Sequence, residues 1–114
     1  PDPSGGQLVQ NYTVIATTEA ESGVNTVVAA PGAGLRLVVK ELVVQNESAT
    51  TTTVLIESGD TTCWRAVLAE RQAITLSFAV GEEWRLGANA ALVVDLSGAN
   101  SHSVSGRYFT EAAI

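Results

Sequence analysis

The chain contains no methionine, one cysteine, one histidine and six basic residues among 114. Each shortage removes a class of chemistry. Cys63 stands alone, so no internal disulfide can form. Structural zinc needs at least three closely spaced His or Cys ligands, and one of each separated by most of the core does not supply them. The six Lys and Arg face twelve Asp and Glu, a net charge of −6. They are spread singly from Arg36 to Arg107, whereas nucleic acid or anionic lipid calls for clustered cations. Neither partner is expected. No apolar run approaches the roughly 18 residues of a membrane span, and no basic segment leads into an apolar stretch as a secretory signal would. Charged residues are only 16% beside 46% hydrophobic, too apolar a balance for a disordered chain. A chain of this length buries roughly 65% of its unfolded surface and folds without staples. One soluble domain is expected.

The remaining composition is written in short extended runs. Pro1-Asp2-Pro3-Ser4-Gly5-Gly6 offers nothing apolar to anchor, so the sequence predicts a flexible arm over 1–7 and a folded domain over 8–114. Runs rich in Val, Thr, Leu and Ile follow at 8–18, 24–30, 35–45, 51–57, 62–69, 73–78, 90–96 and 103–110. Turn clusters such as Pro31-Gly32-Ala33-Gly34 and Ser58-Gly59-Asp60 separate them. Apolar residues alternate in several runs, as in Ile74/Leu76/Phe78 and Leu92/Val94/Leu96, so one face is inside and the other wet. In the run at 35–45 the phase slips: Leu35, Leu37 and Val39 share one parity, Leu42 and Val44 the other. A β-bulge at Lys40-Glu41 restores both halves to the core and bends the strand. The expected fold is an all-β, single-domain antiparallel sandwich of about eight strands, jelly-roll-like, with one long bent strand.

The inventory for catalysis is poor. His102, flanked by Ser101 and Ser103, reads as a solvated turn residue. Cys63, in a β run beside Trp64, reads as a buried and inert thiol. Glu82 and Glu83 point to opposite faces if extended, which spoils them as an acid–base pair. No Asp-x-Asp-x-Asp calcium loop is present, and Pro31-Gly32-Ala33-Gly34 lacks the Gly-Lys-Ser/Thr ending of a phosphate loop. Trp64 and Tyr108 share parity with core residues, and Trp84 reads as half-buried at a loop, suited to a subunit contact as well as to a sugar. No enzyme activity, cofactor, metal or small-molecule substrate is expected.

Four segments carry a resemblance: Ala30-Pro31-Gly32-Ala33-Gly34-Leu35-Arg36-Leu37-Val38-Val39; Thr52-Thr53-Val54-Leu55-Ile56-Glu57-Ser58-Gly59; Ala90-Ala91-Leu92-Val93-Val94-Asp95-Leu96-Ser97-Gly98-Ala99; and Val104-Ser105-Gly106-Arg107-Tyr108. In order and spacing, over 24–108, the sequence resembles the head decoration (cement) proteins of tailed bacteriophages and related fibre modules. It departs from them at Cys63-Trp64-Arg65-Ala66 and Ala69-Glu70-Arg71-Gln72. The resemblance implies a jelly-roll-like homotrimer on the outer surface of the virion capsid, bridging major capsid proteins. The alternative is a fibre or carbohydrate-binding module that recognises a host surface. For the capsid contact the candidates are Asp2, Leu8, Val9 and Tyr12, because an extended arm can add strand hydrogen bonds to another chain. For the trimer seam they are Arg65, Trp84 and Arg85.

Overall fold

The computed structural model describes residues 11–113. Among them there is no helix; nine strands form two antiparallel sheets. The strands are β1 (Thr13–Glu19), β2 (Gly23–Val28), β3 (Leu35–Asn46), β4 (Thr52–Ser58), β5 (Thr61–Leu68), β6 (Ala73–Ser77), β7 (Trp84–Arg85), β8 (Leu92–Leu96) and β9 (His102–Ala112). The expected sandwich is present, with one strand more than the eight runs. The two-residue β7 is too short to show a period. The predicted arm over 1–7, and the start of the predicted domain at residue 8, lie outside the described residues.

One sheet is ordered β1-β9-β3-β6, with β7 also on β3; the other is β2-β8-β4-β5. Taking β6 and β7 as one interrupted strand, the pairs β1·β9, β2·β8, β3·β6/β7 and β4·β5 are all hydrogen-bonded. These are the rungs of one long hairpin whose tip is the Gly59-Asp60 turn. Folding that hairpin over itself yields two four-column layers, which is jelly-roll connectivity. The molecule is 19 Å across its thinnest axis, as expected of two sheets packed about 10 Å apart with side chains outside. Between them lie Leu37, Val39, Leu42, Val44, Val54, Ile56, Leu92, Val94, Leu96 and Val104, all nearly or fully buried.

The phase slip in β3 is a register shift against β9 between Val39 and Glu41. Val39 faces Tyr108 and Glu41 faces Arg107, so Lys40 is the extra residue. Its polar groups are taken up from the opposite side: Phe78 N–H donates to Lys40 O at 3.2 Å, and Lys40 Nζ donates to Phe78 O. The partner strand consequently divides there. β6 pairs with 41–45 and β7 with 38–39. Across the bulge, β9 carries Gly106, where a Cβ would stand 2.2 Å from Glu41 O and 3.1 Å from Leu42 Cα. Only a residue without Cβ lets the two backbones approach so closely.

Gly106→Ala must therefore push backbone against backbone. It is expected to lower stability by about 3 kcal/mol, read as a fall in the urea midpoint at unchanged slope. Gly87→Ala, whose Cβ would meet nothing closer than 3.6 Å, is the control and should change stability by less than about 0.5 kcal/mol.

Candidate functional site

The anticipated subunit residues occupy two different places. Arg65 lies exposed on the outward face of β5, opposite Leu55 of β4. Arg85 lies exposed on β7 in the other sheet, on that sheet's outward face. Its Nε donates to Glu111 at 3.0 Å, and the same carboxylate accepts from Arg36 Nε at 2.8 Å. Trp84 points the other way. Its ring meets Trp64 edge-on at a centroid distance of 4.5 Å, and Trp64 in turn lies 6.0 Å from Phe78. These aromatics pack on the margin of the core where β5 approaches β6 and β7. The rings are turned toward one another, an arrangement worth about 1 kcal/mol per edge-on pair beyond the area they bury.

Of the residues proposed for an outside partner, Asp2, Leu8 and Val9 lie outside the described residues. Tyr12 sits half-buried immediately before β1. Its ring makes an edge contact with Phe109 at 5.8 Å, and the Arg107 guanidinium stands 5.2 Å from its centroid. The hydrogen bond and charge of Glu41 raise the pKa of Arg107 above its ordinary value. Tyr12 thus fixes the start of β1 against the outward face of β9.

β1 itself is the feature the sequence reading passed over. Among the described residues it pairs only with β9, in unbroken register from Thr13 to Glu19, so they leave its other edge unpaired. On its outward face Val14 is 69% exposed, followed by exposed Ala16 and Thr18. Along its free margin an open groove of roughly 330 Å³ runs between β1 and β2, lined by Ile15, Val27, Val28, Ala29 and Tyr108 among others. The available signal was the stretch Asn11 to Thr18, which carries no charge. Pattern alone does not separate an edge strand from a central one.

Two expectations about reactive groups are corrected. His102 is not a solvated turn residue but fully buried at the start of β9, opposite Glu19 and Asn46. Its Nδ1 lies 2.8 Å from Asn100 O. A carbonyl can only accept, so Nδ1 carries a proton, and Nε2 has no hydrogen-bond partner among the described residues. Cys63 is not buried but exposed. It is the additional residue in β5 where the register against β4 shifts between Ile56 and Glu57, and it lies on the exposed side of this edge strand with Arg65 and Val67, opposite to inward-facing Trp64. Asn46, within a glycosylation-like triplet, is sealed: its Nδ2 donates to Thr50 O and Leu68 O at 2.8 and 2.9 Å. Among the described residues no group of three or more His, Cys, Asp or Glu side chains converges as a metal site.

Comparison with models of protein families, with curated proteins and with solved structures finds no match for this chain.

The exposed Cys63 should react stoichiometrically with a thiol reagent such as DTNB in the native protein at neutral pH, while Cys63→Ser leaves the urea midpoint within error; a thiol that titrates only after denaturation contradicts its exposed position. Glu111 gives a pH-dependent prediction. The Arg36 hydrogen bond, reinforced by Arg85 and opposed by partial burial, holds its carboxyl below the usual carboxylate range. Its folded-state pKa is thus lower than the unfolded one, so its contribution is full above the unfolded value of about 4.3 and disappears as pH falls through the folded value. Glu111→Gln should be slightly less stable than the parent at neutral pH, and the gap should close in strong acid.

Proposed function

We propose that this protein is a non-enzymatic structural virion protein, a capsid decoration protein that binds the outside of a phage head as a homotrimer and stabilises contacts between major capsid proteins. The observation that carries this reading is the pairing of a jelly-roll body with a regular border strand, β1, that exposes Val14 and carries its single charge at its last residue. A clamp of this kind works by mass action. Whatever binds the assembled shell and not its parts stabilises the shell, and three linked copies do so with avidity beyond a single contact. Such a protein needs a stiff body and a docking surface, and no reaction chemistry. The sole imidazole, sealed in the core, is consistent with that requirement. The net charge of −6 favours a basic receiving surface and speeds encounter with it.

A fibre or carbohydrate-binding role draws less support. Sugar platforms present aromatic faces to solvent, whereas Trp64 and Trp84 are half-buried against each other.

The purified protein mixed with undecorated heads should sediment with them and raise their melting temperature. Its native mass should be three times 11.8 kDa. A folded protein that stays in the supernatant at every ratio, with heads of unchanged thermal stability, overturns the decoration reading; Trp fluorescence that responds to added glycans would favour the carbohydrate alternative.

A further inference from the structure

Four strands form the sheet borders, and three of them carry devices that discourage pairing with another chain. β2 has a register shift between Thr26 and Val28, and its Asn25 side chain folds back onto Glu21 and Gly23 backbone groups. β5 has the Cys63 bulge and an exposed Arg65. The β6/β7 border is broken into pieces of five and two residues. Bulges, charges and short segments are the usual means of keeping an edge from recruiting a stranger. β1 has the fewest: seven residues in regular register, with no Lys, Arg, Pro or Gly, and a single charge, Glu19, at its last position.

We propose that β1 receives an extended strand from another protein, added antiparallel along its open edge. The inference rests on the decoration reading only for who supplies that strand. The chemistry of the occupant follows from the surroundings. A strand laid beside β1 places every second side chain over the groove between β1 and β2, where half-buried Val27, Val28 and Tyr108 stand beside exposed backbone and β-branched residues such as Val, Ile or Thr fit. Its other side chains fall beside exposed Val14, Ala16 and Thr18, where small or β-branched residues fit. At the far end stand Glu19 and, just beyond, exposed Glu21. Four of the molecule's cations, Arg36, Arg71, Arg85 and Arg107, are engaged with other carboxylates. Charge complementarity therefore asks for a Lys or Arg at the incoming strand's N-terminal end. A second copy of this chain would bring Thr13 there instead, and would double the acidic charge.

The test uses the full-length, ¹⁵N-labelled protein and the peptide acetyl-Lys-Thr-Val-Ser-Ile-Thr-Val-amide. Amide shifts should be confined to 13–19 and 27–29, alternate β1 amides should slow their hydrogen exchange, and Kd should be on the order of 100 µM. Replacing the peptide's Lys by Glu should weaken binding several-fold. Two further peptides, N-methylated at the odd or at the even interior positions, decide the mode: one set blocks the edge that faces β1 and should abolish binding, the other should not. V14K/A16K, altered only at exposed positions, should bind at least tenfold more weakly while keeping its fold. Shifts elsewhere, no binding, or equal binding by both methylated peptides overturns the proposal. So does protection of the β1 edge before peptide is added, which would mean a second copy or the chain's own first ten residues already cover it. Head sedimentation separates the two readings. Heads that capture the parent and V14K/A16K equally sink strand addition and leave decoration standing, whereas peptide binding without head binding does the reverse.

Discussion

The close crossing of β3 and β9 at Gly106 is the constraint on which the rest of the sandwich depends. β3 runs twelve residues and faces the core on both sides of its midpoint. In an unbroken strand, either Leu37 and Val39 or Leu42 and Val44 would point outward, because side chains alternate with a period of two. Inserting Lys40 corrects the phase, but the correction drives the Glu41 carbonyl toward the neighbouring strand. A glycine absorbs the intrusion. The freed Lys40 groups are satisfied by Phe78, and this contact is where the partner strand stops and resumes as β7. One inserted residue thus places Trp84 over Val39, and with it the aromatic contact to Trp64 that joins the margins of the two sheets.

Alternation is a local property, and it was legible wherever one face is buried and the other wet. That is why β4, β6 and β8, and even the slip in β3, could be read from the residues. What could not be read depends on neighbours distant in the chain. His102 looked solvated because serines flank it, yet its surroundings are supplied by Glu19 and Asn46 on other strands. Cys63 looked buried because it sits in a β run, but it shares the exposed parity of Arg65 and Val67 on a strand that borders its sheet. β7 has too few residues to form any pattern and exists because β3 offers it a place. The candidate site was the least legible part, since Val14 and Ala16 matter through what fails to cover them.

The charged groups follow a single logic. Burying an ion is costly and exposed pairs are worth little, so four of the five guanidinium groups are paired with carboxylates on the outward faces, across β3, β7 and β9 or between Arg71 and Glu47. These pairs hold side chains in place more than they hold the fold together. The fold rests on the aliphatic layer between the sheets, and that division leaves the β1 margin free of charge along nearly its full length.

The hairpin-of-strands topology also dictates an order of events. Because β1 pairs among the described strands only with β9, the first of those strands must wait for the last before its sheet can close around it. Emerging from a ribosome, β1 stays without its β9 partner until β9 has been made, and non-local pairings of this kind form over milliseconds to seconds rather than microseconds. The same segment that suits an intermolecular partner in the finished protein is therefore the one most exposed to wrong partners while the protein is being made.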